Sequence, residues 1–379
     1  MNQKPIEVLF FLPTAGGGGA EMHVIRLINH IRRSRFRPKL ALLRAGGAYE
    51  KHLKKDVPVK VLCPEWVRSS TVSCLIGSRP LKLLIQREKP EIVFSALPNT
   101  HAVLARALAG IQNPPKIVLG VQNNVGVTRL SKKSVIRQWE SNWSDRAYNL
   151  ADSIVAISKG VAADFEEHFN ELNGRVDIAY NIGCDEKVFD AAEEALLSWE
   201  RPPGLLLVAC GRLEEQKDYT TLLKAVRIVR ETTPLTLWIL GRGRLEAELR
   251  KKIEDLDLEN SVELLGFQAN PFAFMAAADI FVLSSAWEGF GNVIVEAMAC
   301  GTPVVSTRCP FGPEEILAGG EYGLMADVGD SKDLAERILE LAKDSERRAD
   351  LAKKGRSRAR DFLPHGITRQ YENIFLAAL

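Results

Sequence analysis

Short apolar runs alternate with amphipathic stretches from one end of this chain to the other, and that alternation leaves few folds open to it. Strand-length runs separated by one-faced helices build parallel sheets covered on both sides. The runs predict strands at Val8–Leu12, Lys39–Leu43, Ile92–Ser95, Ile117–Val121, Ser153–Ile157 and Val176–Tyr180. A second series follows at Leu205–Cys210, Leu235–Leu240, Val262–Leu264, Ile280–Leu283 and Val304–Ser306. Helix-like segments lie between, among them Ala20–Arg33, Thr100–Ala109, Tyr219–Glu231, Arg244–Leu256 and Lys332–Leu341. The pattern restarts near residue 204. The segment Asp185–Pro203 is acidic, has no strand signal and ends in Pro-Pro-Gly, which predicts an interdomain connection. The expected fold is α/β, with two doubly wound domains facing a cleft. Residues 1–184 plus a terminal helix over 364–379, crossing back, form one domain, and 185–363 the other.

The chain's 379 residues, 46% hydrophobic and 26% charged, suffice for two cores and exclude a disordered chain. No run approaches the roughly 20 apolar residues of a membrane helix. The V-L-F-F-L-P stretch is preceded by Glu7 and reads as a first strand rather than a signal peptide. Six cysteines without a C-x-x-C pair predict reduced thiols in a cytoplasmic protein.

Net charge is +2 but unevenly spread: residues 1–185 hold 26 Lys and Arg against 16 Asp and Glu, and the remainder 24 against 32. The basic residues cluster at Arg32, Arg33, Arg35, Arg37 and Lys39, at Lys51, Lys54 and Lys55, and at Arg129, Lys132, Lys133 and Arg137. Either this is a solvated face, or the N-terminal half meets an anionic membrane surface or an acidic acceptor. Nucleic acid is not expected, because no aromatics are interleaved and no binding motif accompanies the clusters.

Chemistry concentrates in W-E-G-F-G-N-V-I-V-E-A, Trp287 to Ala297. Two carboxylates, Glu288 and Glu296, flank a Gly-rich turn that opens a helix. The first N–H groups of a helix have no internal partner and attract anions. Glu288 lies at the helix mouth and Glu296 about a turn inside. This spacing suits a nucleotide-sugar, which has hydroxyls on both sides of a diphosphate. T-A-G-G-G-G-A-E, Thr14 to Glu21, follows the first strand and leads into a helix, which allows close backbone approach to a ligand. It is neither a P-loop nor the dinucleotide fingerprint. G-R-L-E-E-Q-K-D places Arg212 and Lys217 at a strand's carboxyl end, within reach of a diphosphate. G-R-G-R-L-E begins at Gly241, and L-L-G-F-Q ends a strand where backbone can meet a base edge. His101 starts a helix after the fourth strand, on the side expected to face the cleft, although a lone histidine is as readily a surface or capping residue. Asp255 and Asp257 have D-x-D spacing but read as solvated carboxylates, so no metal is expected.

In this order the motifs resemble the retaining GT-B glycosyltransferases of the group 1 family, over nearly the whole chain. Glu288 to Glu296 matches the family's E-x7-E motif, and A-M-A-C-G-T-P-V-V-S-T and G-P-E-E-I-L continue the match. The resemblance implies two Rossmann-like domains, the N-terminal one for the acceptor and the C-terminal one for the donor. It implies that Arg212 and Lys217 bind the donor diphosphate and Glu296 the ribose hydroxyls. Glu288 with the backbone of Phe290, Gly291 and Asn292 would hold the transferred sugar. The Gly16–Gly19 loop, Gly17 and Gly18 within it, would close over the donor. His101 matches a histidine that approaches the sugar, Phe267 lies where relatives bind the nucleobase, and Gly241 belongs to the G-x-G near the donor. Two departures stand out: N-I-G-C-D (Asn181 to Asp185) replaces N-G-[VI]-D, and Arg244 stands where relatives often have proline.

The resemblance further implies transfer of a hexose or N-acetylhexosamine, with retention, from a nucleotide-sugar to a glycan or lipid-linked acceptor. Family frequency favours UDP, and C-P-F-G-P-E-E-I-L hints at N-acetylhexosamine donors. Neither cofactor nor metal is implied, and the setting is cytoplasmic or the inner face of the plasma membrane. The alternatives are another GT-B enzyme, such as a sugar-nucleotide epimerase or a phosphorylase, and a silent sugar-nucleotide-binding protein.

Overall fold

The computed structural model describes residues 4–16, 18–67, 69–130, 135–193 and 201–379. The chain divides into two compact units, Met1–Ile182 with Pro364–Leu379, and Gly183–Leu363.

The first unit holds seven strands: β1 Ile6–Leu12, β2 Phe36–Leu42, β3 Val59–Val61, β4 Ile92–Ser95, β5 Lys116–Val121, β6 Ser153–Ala156 and β7 Val176–Ile178. They form one sheet in the order β3-β2-β1-β4-β5-β6-β7, with every pair parallel. Its helices are α1 Gly19–His30, α2 Ser70–Ile76, α3 Ser78–Glu88, α4 Pro98–Leu108, α5 Val125–Leu130, α6 Val135–Leu150 and α7 Lys159–His168. In the second unit α8 Glu186–Glu193 precedes β8 Leu205–Cys210, α9 Tyr219–Arg230, β9 Leu235–Leu240, α10 Glu246–Asp255 and β10 Val262–Gly266. Then come α11 Pro271–Ala277, β11 Ile280–Leu283, α12 Asn292–Ala299, β12 Val304–Thr307, α13 Pro313–Ile316, β13 Leu324–Ala326, α14 Ser331–Lys343 and α15 Ser345–Ala359. The second sheet is also parallel, in the order β10-β9-β8-β11-β12-β13.

Strands buried on both faces carry no polar alternation, and β1, β4, β8 and β11 are apolar almost throughout for this reason. The short strands β3 and β13 escape the sequence reading, whereas β7, equally short, lies within the longer run Val176–Tyr180.

The last helix, α16 Pro364–Ala377, belongs to the first unit, as its separation from Leu363 indicates. Phe375 packs edge-on against Phe10, Phe36 and Phe94, with centroids 6.0, 6.2 and 5.7 Å away. Glu372, fully buried, accepts from the Arg32 backbone N–H at 2.8 Å and pairs with its guanidinium.

The passage between units corrects the expected connection. The chain changes unit at Ile182–Gly183, ahead of Asp185–Pro203. Much of that segment is α8, packed on α11 and α12 of the second unit, while 194–200 lie outside the described residues. Ile182 sits in the first unit's core. Its N–H donates to His23 Nδ1 at 2.9 Å, and its carbonyl accepts from Arg26 Nη1 at 3.1 Å. Gly183 packs on Val295, where a Cβ would lie 2.7 Å from Cγ1. The extra residue of N-I-G-C-D is therefore absorbed as a buried anchor.

Candidate active site

Each sheet reverses its order once, between β1 and β4 and between β8 and β11. At such a reversal the following helices leave on opposite faces, and the loops beyond the strands part to form a crevice. In the second unit these loops are 211–218 and 284–291, which carry Arg212, Lys217 and Glu288.

Lys217 ends a single 3-10 turn, and Asp218 behind it caps α9 by accepting from Thr221 N–H at 3.2 Å. The Lys217 stem lies over Gly211, where a Cβ would be 2.7 Å from Cε. Its Nζ meets Glu288 Oε1 at 2.5 Å, with the two side chains 12% and 8% exposed. Ser285 Oγ donates to the same oxygen at 2.7 Å, and Gln216 Nε2 to Oε2 at 3.3 Å and to the Trp287 carbonyl at 3.0 Å. The Glu288 N–H donates to the Pro310 carbonyl at 2.6 Å, and its carbonyl accepts from Phe311 N–H at 2.8 Å. The donor-binding cation and the sugar-binding acid of the sequence reading are thus ion-paired with each other. Ser285 and Gln216, which complete the cluster, were not singled out. Gln216 lies beside Lys217 in the same motif, whereas nothing local marks Ser285.

Gly291, the residue before α12, lies in the left-handed region at φ 97. Asn292 is the helix's first residue, and Glu296 lies about a turn further in, half-buried. Glu296 and Lys217 both act on Cys210 at the end of β8. Burial pushes that thiol up to about 12, Glu296 adds to the rise and Lys217 opposes it. Burial, reinforced by Glu288, likewise pushes Cys309 up to about 12. Phe290 is buried against Phe362, and its carbonyl leaves room only for glycine at 312, where a Cβ would sit 1.9 Å away.

Arg212 is exposed, and its guanidinium makes no hydrogen bond or ion pair among the described residues. Gly241, at φ 136, lets its loop press on Gly211, whose carbonyl would be 2.0 Å from a Cβ. The close approach at this glycine is thus between two loops of the chain. Arg244 pairs with Glu214 at 2.5 Å and Glu215 at 2.9 Å, which gives the residue in the proline position a structural partner. Phe267 follows β10 and is exposed. Among the described residues no three His, Cys, Asp or Glu side chains gather as metal ligands.

In the first unit Gly17 lies outside the described residues. Gly18 precedes α1 without a side-chain cap, and a Cβ there would meet the Glu21 carboxylate at 2.4 Å. The helix opening is therefore already faced by an acid of its own. His101 corrects the expectation that it faces open space or caps a helix. Its ring is fully buried, Nε2 donates to the Ser95 carbonyl at 3.0 Å, Nδ1 has no partner among the described residues, and the ring meets Tyr148 edge-on at 5.3 Å. Burial depresses it to about 4. Much of the basic cluster after α1 is likewise engaged within the chain: Arg33 with Asp56 at 2.6 Å, Arg37 with Glu7 at 3.0 Å, and Lys39 with Glu7 and Glu88 at 2.9 and 2.8 Å. Lys132 and Lys133 lie outside the described residues, as do the side chains of Arg129 and Arg137. A hollow of about 340 Å³ opens beyond β2 and β3, lined by Arg44, Ala45, Gly46, Pro64, Glu65 and Val67.

Two parallel α/β units, one with a cation–carboxylate cluster where its strand order reverses, make up a GT-B architecture. Residues 200–358 match the family described as glycosyl transferases group 1, and residues 17–182 match glycosyltransferase family 4. The chain is 30% identical over 274 residues, 72% of each chain, to N-acetylgalactosamine-N,N'-diacetylbacillosaminyl-diphospho-undecaprenol 4-alpha-N-acetylgalactosaminyltransferase of Campylobacter jejuni. It is 28% identical to the lipopolysaccharide core biosynthesis glycosyltransferase LpsE of Rhizobium meliloti, over 89% of each chain. Its fold is similar to that of Anabaena HepE in complex with UDP-glucose, with a TM-score of 0.81, 24% identity, and coverage of 99% and 100%. The chain belongs to the group 1 glycosyltransferases.

Proposed function

We propose that this chain transfers a hexose or N-acetylhexosamine, with retention of anomeric configuration, from a UDP-sugar to a glycan or lipid-linked acceptor of a bacterial surface polysaccharide or glycoconjugate. The observation that carries this reading is the buried Lys217–Glu288 pair at the β8–β11 reversal, with Arg212 exposed on the same loop as Lys217 and without an ion pair among the described residues. The relatives support the substrate class: one is named for a diphospho-undecaprenol acceptor, another for lipopolysaccharide core synthesis, and a similar fold holds UDP-glucose. A nucleotide-sugar donor places the reaction in the cytoplasm or at the inner face of the plasma membrane.

In this reading the diphosphate lies across the opening of α12, where Arg212 and Lys217 neutralise the departing charge. Glu296 takes the ribose hydroxyls and Glu288 a sugar hydroxyl, with Phe290, Gly291 and Asn292 offering backbone. Gly241 and Phe267 border the nucleotide. The acceptor hydroxyl attacks the anomeric carbon on the face the diphosphate leaves, and a phosphate oxygen takes its proton. No protein nucleophile and no metal is assigned a step.

Thermal shift against UDP-, GDP- and ADP-sugars tests the donor class, with UDP-sugars expected to stabilise the chain most. Lys217→Ala and Glu296→Ala should each weaken donor affinity roughly tenfold or more, the value of a charge-assisted contact. Unchanged affinity in both, measured on folded protein, would sink the assignment. Nucleoside diphosphate released only when acceptor is present separates transfer from epimerisation.

A further inference from the structure

Among the described residues of the second unit, Phe267 and Val328 are the exposed large apolar side chains, and Phe267, 55% exposed, is the one ring. It directly follows β10, at the carboxyl edge of the sheet. The G-x-G turn after β9 is pinned beside it. Gly241 N–H donates to the Gly266 carbonyl at 2.8 Å, and the Arg242 carbonyl accepts from Leu213 N–H at 3.1 Å. A Cβ on Gly243 would meet the Leu213 carbonyl at 2.3 Å. The backbone around Arg242 is thus fixed, while its side chain is exposed. Its guanidinium lies against Gly266, where a Cβ would be 3.6 Å from Nε and 3.9 Å from Nη2. It makes no ion pair or hydrogen bond among the described residues. The acids close to it in sequence are engaged elsewhere, Glu214 and Glu215 with Arg244, and Glu246 with Arg250.

A nucleotide held at the β8–β11 reversal has one open direction along the sheet. With its diphosphate at Arg212 and Lys217, the base extends either toward β9 and β10 or toward β12 and β13. The loop after β12 is closed onto the site: the Pro310 carbonyl accepts from Glu288 N–H, Phe311 N–H donates to the Glu288 carbonyl, and Gly312 abuts the Phe290 carbonyl. The β10 side ends instead in the exposed ring and the unengaged guanidinium. Neighbouring strands are about 4.8 Å apart, so β10, two strands from β8, ends about 10 Å away, which leaves room for a ribose between phosphate and base. A base there meets an apolar face for stacking and a planar donor for an oxygen on its edge.

We propose that Arg242 selects the base of the donor, donating from its guanidinium to a ring carbonyl oxygen while Phe267 gives the base a face to stack on. The inference rests on the nucleotide-sugar reading above and adds a chemical class to it, a base that carries a carbonyl group, as uracil does. Adenine has no carbonyl and presents an amine donor on its edge, and a guanidinium has no acceptor to offer that amine.

The test is isothermal titration calorimetry of the full chain with UDP and with ADP. Wild-type protein should bind UDP roughly tenfold or more tighter than ADP, the value of one charge-assisted hydrogen bond. Arg242→Ala should bring UDP down to the affinity of ADP and leave ADP unchanged. Arg242→Lys keeps the charge but loses the planar fork, and should recover little of the preference. Phe267→Ala should weaken both nucleotides alike, since a stacking face does not tell bases apart. Both side chains are exposed, so thermal melting that matches wild type shows these variants to be folded. The proposal is overturned if wild-type protein binds UDP and ADP equally, or if Arg242→Ala keeps the preference for UDP. It is equally overturned if Arg242→Ala weakens both nucleotides to the same extent, since Arg242 then acts on the diphosphate. These outcomes leave the donor reading standing, whereas wild-type protein that binds neither nucleotide overturns that reading and this inference with it.

Discussion

Lys217 and Glu288 hold each other away from water, which sets how each responds to mutation. Removing one partner of such a pair strands the other charge and costs about 3–5 kcal/mol, whereas replacing both is far milder. Lys217→Ala and Glu288→Ala should each lower the melting temperature, and Lys217→Met/Glu288→Gln should recover part of the loss. Additive losses in thermal denaturation of singles and double would argue against coupling. The buried histidines give a second prediction at this scale. Burial holds His23 at about 3 and His101 at about 4, below the unfolded value of 6.5. The unfolded chain binds these protons first as pH falls. Their contribution is complete above pH 6.5 and shrinks as pH drops toward 4 for His101 and 3 for His23, by up to about 1.4 kcal/mol per pH unit each. Denaturant titrations from pH 7 to 4 should show this slope, and His101→Gln should reduce it by one proton. An unchanged slope in that variant would remove His101 from the account. The residue types of the site were legible: Arg212, Lys217, Glu288 and Glu296 stand in motifs whose chemistry is explicit. That Lys217 and Glu288 touch across 71 positions, and that His101 lies inside, depends on packing that local spacing does not encode.

Whole elements were more readable than their ends. Strands β4, β8, β9 and β11 fall where the apolar runs place them, since a strand buried on both faces declares itself by composition. Gly241 reads as part of a G-x-G near the donor, yet it makes room for the Gly211 carbonyl. Gly241→Ala combines that clash with a dihedral closed to alanine. It should destabilise the second unit by more than the ~1 kcal/mol of an ordinary glycine substitution, while leaving the first unit's melting unchanged by differential scanning calorimetry. An intact second-unit transition would contradict the packing role.

At the scale of the molecule, α16 closes the first unit's core, although some 180 residues of the other unit precede it in the chain. Phe375→Ala should therefore destabilise the first unit by about 3–5 kcal/mol, as for other buried aromatic truncations, with the second unit's transition unmoved. The same calorimetric scan decides this, and a loss confined to the second unit would contradict the assignment of α16.

The sequence alone determined two parallel α/β units, their motif order and the family, because burial on both sheet faces and glycine-bearing strand ends leave direct marks in residue type. Only the tertiary structure showed how the chain is anchored at the change of unit, where Ile182 is held by His23 and Arg26 from a helix over 150 residues earlier. Only the tertiary structure, too, sorted the basic residues. An arginine looks the same in sequence whether or not an acid of the chain lies beside it, and only distance tells, as for Arg33 and Asp56 at 2.6 Å.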